Sequence, residues 1–273
     1  MQHFQHRSDY PWQLLLLIIT TSTWYGSQLR LKENLWTSCL KPMDEKIETL
    51  YSVIPVIHGM PVTIADVPWQ ALIKFRSSRR NFGGGGLIGP RFLLTAAHVV
   101  RNHLPSDIHV TVGMTTQGKH EGILMDVEKV VLHPGYNPSV NRNRGNDIAI
   151  LLLKEPVPES TKVKYIDLPP NPEATPAPGT AALVSGWGRT MKRMRSQSLM
   201  AAIVPVASRN ACIEAYTNRY DPILQIPITL TPDMLCAGTG KENEPYACQG
   251  DSGSVLGVPV CTRIVHYTRL CNG

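Results

Sequence analysis

The sequence predicts an all-β protein built from two successive clusters of strands. Three observations carry that prediction. Proline (22) and glycine (21) are plentiful while charged residues make up 18% of the chain, a mix that suits a turn-rich β protein better than a helical bundle or a disordered chain. From Val56 onward, short apolar runs are broken by Gly, Pro and Asn. A proline-rich stretch from Leu168 through Pro178 separates two sets of such runs, as a connection between two β units would. A length of 273 residues fits one large domain or two small barrels sharing an interface.

At the N-terminus, His6-Arg7 precede an apolar run from Trp12 to Ile19, and small polar residues follow. The run falls short of the roughly 20 apolar residues of a comfortable membrane span. It reads as a signal peptide, residues 1–27, with cleavage within Thr21 to Ser27; a type II membrane anchor is the lesser alternative. Residues 28–55 mix charge and apolar side chains without a period and read as a propeptide or linker. Strands are expected at Ala71–Phe75, Phe92–Thr95, His109–Val112, Val127–Leu132, Ile148–Leu153, Ala181–Ser185 and Ala201–Val206. Ser208 to Tyr216 reads as a short helix with Ser208 as N-cap.

Export implies an oxidising compartment, so the six cysteines (39, 212, 236, 248, 261 and 271) are disulfide candidates first. There is no Cys-x-x-Cys pair to support zinc or thioredoxin-like chemistry. Asn137-Pro138-Ser139 is not a usable glycosylation sequon, because Pro holds the forbidden place. The net charge of +6 is modest. Its short basic clusters, Arg79-Arg80, Arg142 to Arg144 and Lys192 to Arg195, fit solvated loops, with a heparin-like or acidic partner as the other reading.

Three segments carry chemistry. Gly250-Asp251-Ser252-Gly253 is a glycine-flanked turn that would leave the Ser252 hydroxyl and nearby N–H groups facing a substrate, although the same tetrapeptide is ordinary turn chemistry. His98 ends an apolar strand, in Leu94-Thr95-Ala96-Ala97-His98, where a satisfied core histidine would also fit. Asp147 opens the buried-looking run Asn146 to Leu152. A carboxylate there is costly unless something donates to it, and an imidazole N–H would serve. A serine alcohol needs a base to become a nucleophile, and the base works best when a carboxylate fixes its tautomer.

Thr95-Ala96-Ala97-His98, Asn146-Asp147-Ile148-Ala149, Ser185-Gly186-Trp187-Gly188-Arg189 and Cys248-Gln249-Gly250-Asp251-Ser252-Gly253 resemble the signature segments of the trypsin/chymotrypsin-like serine proteases, in the family's order. Glu128 to Pro134 and Leu235-Cys236-Ala237-Gly238 give the likeness the flavour of the complement initiator proteases and haptoglobin. The resemblance implies two six-stranded antiparallel β-barrels within a protease domain at 56–273. It implies Ser252 as nucleophile, His98 as general base and then acid, and Asp147 as the orienting carboxylate, a mechanism carried over from the family. The oxyanion hole would come from the N–H groups of Gly250 and Ser252. Asp251 would pair with a freshly cut amino terminus at Val56. Disulfides Cys212–Cys236 and Cys248–Cys271 follow by position. Two cysteines common in the family around the histidine loop stand here as Gly83 and Val99, absent together. No cofactor and no metal are implied.

The sequence departs from the family in four places. Pro55 precedes Val56 where the family has Arg or Lys, so a trypsin-like activator should not cut there. Without the new amine, Asp251 would lose a buried ion partner, a loss of about 3–5 kcal/mol. Tyr246 stands where trypsin-like members hold the aspartate that binds Arg or Lys, which argues against trypsin-type cleavage. His266, Tyr267 and Thr268 align loosely with the strand that binds substrate backbone, and Thr268 would narrow the pocket mouth. The chain stops at Gly273, short of the family's last strand and C-terminal helix, so the second barrel is expected to be truncated. Finally, Cys39 resembles the cysteine that ties a propeptide to the protease domain, but its usual partner position is Asp167. Cys39 and Cys261 are left to pair with each other, bond another chain or stay free.

Two functions fit these residues. The first is a secreted, extracellular serine endopeptidase acting on a polypeptide substrate with specificity unlike trypsin's. The second is a catalytically silent, haptoglobin-like binding protein on the same scaffold. The expected partners are the substrate and a protein inhibitor or disulfide-linked chain, with no nucleic acid and, after signal removal, no membrane.

Overall fold

The computed structural model describes residues 59–76, 78–119, 121–136, 145–169, 175–189, 195–217, 230–232, 234–238, 250–258 and 261–264, with backbone alone at 78–82 and 261–264. All of them belong to one compact unit, Pro42–Gly273. Expectations for the signal peptide, the 28–55 segment and the chain after Ile264 fall outside the described residues.

Six strands close an antiparallel barrel in the order β2-β3-β4-β7-β6-β5. They are β2 (Gln70–Phe75), β3 (Ser78–Gly89), β4 (Phe92–Thr95), β5 (Ile108–Val112), β6 (Ile123–Leu132) and β7 (Ala149–Leu153). The reason these segments form strands is visible in their alternation. Ile108, Val110 and Val112 of β5, with Ala149, Leu151 and Leu153 of β7, point into the barrel while their neighbours point outward. Strand β2 lacks that alternation because both its faces are covered. Ala71, Ile73 and Phe75 fill the barrel, whereas Leu72 packs outward with Ile64, Val67, Met114, Trp187 and Leu199. The apolar run Ala71-Leu72-Ile73 is what a segment buried on both faces should show, and the strand becomes one-sided at the exposed Lys74.

The remaining strands form a second sheet, ordered β1-β9-β8-β10-β11. These are β1 (Met60–Pro61), β8 (Ala181–Gly186), β9 (Met200–Pro205), β10 (Val255–Val258) and β11 (Cys261–Ile264). The fold is thus mostly β, with one closed six-stranded barrel and a second, five-stranded sheet among the described residues. The proline-rich stretch at 168–178 lies between β7 and β8, joining the two as its composition suggested. The Trp187 cluster is the seam between them, and the indole Nε1 donates to Thr115 O at 3.1 Å.

Two α-helices stand among the described residues, α1 (Ala97–Val100) and α2 (Arg209–Tyr216). The expected cap on α2 is present: the Ser208 hydroxyl accepts from Ala211 N at 3.1 Å. Cys212 of α2 is disulfide-bonded to Cys236, 24 residues away, as the resemblance implied. Closing a loop of that length typically stabilises a fold by about 2–4 kcal/mol.

Each strand expected from the sequence is present within a few residues; β6 starts four residues earlier, at Ile123. Strand β3 is not among the strands expected from the sequence, and its four consecutive glycines, Gly83 to Gly86, have poor β propensity. Its contacts explain the composition. A side chain on Gly86 would begin 2.6 Å from Val255 Cγ1, and one on Gly85 would begin 2.9 Å from Leu93 Cδ2. Gly86 faces Val255 of the second sheet and Gly85 faces Leu93 of the barrel itself, and on both faces only glycine leaves room.

Candidate active site

His98 sits on α1, a single turn placed directly after β4. Ala96 and Ala97 are fully buried, and their small side chains let that turn lie flat against the barrel. Asp147 is presented from the start of β7. The preceding Asn146 adopts φ 58°, a left-handed conformation that asparagine tolerates better than most residues. That turn aims the carboxylate inward, where its side chain is 2% exposed.

The two residues meet through two hydrogen bonds. Asp147 Oδ1 accepts the backbone N–H of His98 at 2.7 Å, and Asp147 Oδ2 lies 2.8 Å from His98 Nδ1. An ionised carboxylate can only accept, so Nδ1 carries a proton, and in the neutral imidazole Nε2 is then the basic nitrogen. The imidazole is thus one of the donors to the buried aspartate, beside the backbone N–H of the same residue. The His98 side chain is 35% exposed, so the outer edge of the ring is accessible to a reactant.

Ser252 lies on the turn Gly250 to Ser254. Gly250 at φ 106° and Gly253 at φ 87° hold conformations that side chains disfavour. The turn is tied to the barrel that carries His98: Gly84 N donates to Ser252 O at 2.8 Å. A side chain on Gly253 would overlap the Thr95 hydroxyl and start 3.1 Å from Ala96 N. The Ser252 turn thus rests against the two residues that lead into α1.

Gly83 explains the missing histidine-loop cysteines. The place its side chain would occupy is 2.6 Å from Val99 Cγ1 and 2.9 Å from Ser252 O. Val99 fills the space beside a residue with no side chain, and the pair substitutes packing for a covalent bridge. Gly83→Ala should overpack this point and destabilise the protein by about 1–3 kcal/mol in urea denaturation. An unchanged midpoint would show that Val99 does not occupy that space.

Asp251 turns away from Ser252 towards the second sheet. Its Oδ1 accepts from Gly188 N at 2.7 Å, and side chains on Gly186 or Gly188 would collide with the carboxylate. The Ser185-Gly186-Trp187-Gly188 segment is therefore a seat for this aspartate, a role whose only trace in the sequence is the spacing of its glycines. Sequence reasoning also missed Gln70, Ser185 and Ser254, which form a buried polar bridge beneath the turn. Val56, Tyr246, His266, Tyr267, Thr268, Cys248 and Cys271 lie outside the described residues.

Burial, and then the nearby Arg76 cation, push His109 below the usual imidazole range. Burial lowers Lys74 and raises Tyr165. Among the described residues, no three His, Cys, Asp or Glu side chains gather as metal ligands would. No helix among them is long and apolar enough to cross a membrane.

A buried carboxylate bonded to an imidazole is the arrangement a general base needs, and the Ser252 turn packs against the residues that lead into that histidine. A family model described as Trypsin matches residues 56–259. The chain is 31% identical over 270 residues to a calcium-dependent serine proteinase of Mesocricetus auratus, a match covering 95% of this chain and 36% of that protein. It is 31% identical over 248 residues to trypsin zeta of Drosophila erecta, covering 87% and 85%. It is 33% identical over 214 residues to the complement C1s-1 subcomponent of Mus musculus, covering 75% and 29%. The chain therefore spans about a third of the first and third of these relatives and most of the second. Among solved structures, neuropsin, a serine protease expressed in the limbic system of mouse brain, aligns with a TM-score of 0.61 at 28% identity, over 75% of this chain and 83% of that one.

Proposed function

The chain belongs to the trypsin family, and on that premise we propose that it is a secreted serine endopeptidase that uses Ser252, His98 and Asp147. The observation that carries the reading is the pair of hydrogen bonds from His98 to the buried Asp147. They leave Nε2 as the basic nitrogen, which is the atom a serine base needs.

In this mechanism His98 Nε2 takes the Ser252 proton as Oγ attacks the scissile carbonyl. The carbonyl oxygen becomes an oxyanion, held by the N–H groups of Gly250 and Ser252. The protonated imidazole then gives its proton to the departing amine, leaving an acyl-serine. Water, deprotonated by the same nitrogen, releases the acid and restores Ser252. Each oxyanion donor is worth about 100- to 1,000-fold in rate.

Residues 1–27 would be removed on export, 28–55 would act as a propeptide, and 56–273 would be the protease domain. Cleavage after Pro55 by an activator with an uncommon preference would free the Val56 amine for Asp251. Tyr246, in place of a carboxylate, would turn specificity away from Arg and Lys. His266, Tyr267 and Thr268 would border the substrate backbone, and Cys248–Cys271 would close the second β unit. The substrate is a polypeptide, and a protein inhibitor or a chain disulfide-linked through Cys39 or Cys261 would be further partners.

A fluorophosphonate tests the proposal, because it phosphonylates only an activated serine. The processed chain should be labelled and Ser252→Ala should not. Equal labelling of both proteins contradicts the proposal. Labelling of neither points to the silent binding scaffold.

A further inference from the structure

Beneath the Ser252 turn, three buried polar side chains from distant parts of the chain join the two β units. Ser185 on β8 donates through Oγ to Gln70 Oε1 at 2.7 Å. Gln70 Nε2 lies 3.2 Å from Ala71 O and 3.0 Å from Ser254 Oγ. All three residues are buried. The orientation of the amide is fixed by chemistry. A carbonyl oxygen can only accept, so the nitrogen must face Ala71 O, and the amide oxygen must then face the Ser185 hydroxyl. Ser254 Oγ accepts from the same nitrogen.

We infer that Gln70, Ser185 and Ser254 are positioning residues, forming a clamp that holds the Ser252 turn at a fixed height against the His98–Asp147 pair. This inference rests on the protease reading. Ser252 belongs to the chain segment that enters β10 of the second sheet, whereas His98 and Asp147 belong to the first barrel. Any sliding between the two units would separate base from nucleophile. Two neighbouring barrel strands oppose that sliding. Strand β3 holds Ser252 O through Gly84 N at 2.8 Å, and β2 holds Ser254, two residues on, through Gln70. Between these points Ser254 N donates to Asp251 O at 3.0 Å, which makes the turn one rigid piece.

Filling space alone does not account for this choice of residues. Apolar side chains would fill the seam without the desolvation cost that each buried polar group carries when left unpaired. The neighbouring strand is also shaped around the hydroxyl, since a side chain on Gly84 would overlap Ser254 Oγ. Hydrogen bonds add direction to the contact. Gln70 Nε2 and the Ser254 hydroxyl fix both the distance and the angle at which the turn meets the barrel.

Saturation kinetics of fluorophosphonate labelling on the processed chain separate positioning from binding. Ser254→Ala should lower the maximal labelling rate about 10- to 100-fold while leaving half-saturation within about twofold, because a displacement near 1 Å costs on that order in the chemical step. Ser185→Ala, which releases one side of the amide, should lower it in the same direction by less. The double variant should be no slower than Ser254→Ala, since both changes break one unit. If Ser254→Ala does not fold, Ser185→Ala decides alone. Maximal rates equal to that of the unsubstituted chain overturn the clamp, as does a change confined to half-saturation. If the unsubstituted chain is not labelled, the protease reading fails and the clamp fails with it.

Discussion

Asp147→Asn should leave a folded protein whose Ser252 is phosphonylated about 10,000-fold more slowly; the magnitude is carried over from the family's mechanism, and its cause is present in this geometry. The introduced amide would keep its oxygen on the backbone N–H of His98, where Asp147 Oδ1 accepts at 2.7 Å. Its nitrogen would then face Nδ1, 2.8 Å away in the parent. An amide N–H can only donate, so Nδ1 would have to accept, and the ring proton would move to Nε2. That places a hydrogen on the nitrogen needed to take the Ser252 proton. The side chain is nearly the same size, so packing changes little and the defect should appear in the rate alone. Stopped-time labelling with a fluorophosphonate, beside a thermal melt, checks both halves. A loss of less than tenfold would show that Asp147 does not set the tautomer.

Trp187→Ala should cost about 3–5 kcal/mol, the usual range for truncating a buried aromatic, against a total native stability of about 5–15 kcal/mol. The indole is 1% exposed and packs with Ile64, Val67, Leu72, Met114 and Leu199 at the seam of the barrel and the sheet. Its acceptor would stay satisfied, since Leu199 N also donates to Thr115 O at 2.8 Å; most of the loss is therefore packing. Trp187→Phe should recover more than half of it. Because Trp187 lies between Gly186 and Gly188, the alanine variant should also loosen the seat of Asp251 and slow labelling of whatever remains folded. Urea denaturation measures the first effect. A change below about 1 kcal/mol would mean that the seam is not held by this residue.

The candidate site residues could be named from the sequence because their signals are local. His98, Asp147 and Ser252 each sit in a short segment whose small or glycine neighbours announce a special backbone, and the buried run after Asp147 already demanded a donor. The strands β5 and β7, and the Ser208 cap of α2, were legible for the same reason. What escaped was set by contacts across the fold. Gln70 and Ser254 are 184 positions apart, and Gln70 and Ser185 are 115 apart, so neither pairing leaves a local pattern. The glycine run of β3 gave no strand signal, because strand propensity speaks against it. Its necessity arises only where Val99, Ser254 and Val255 come close from elsewhere. The Cys212–Cys236 bond followed from family resemblance, since cysteine positions alone permit several pairings.

The separation between His98 Nε2 and Ser252 Oγ, measured by diffraction from crystals of the processed chain, tests the central claim most directly. A base acting on this hydroxyl should stand within about 2.6–3.2 Å of it, or reach it through one water. A ring still bound to Asp147 but turned from Ser252, with no water or rotamer able to close the gap, would contradict the account.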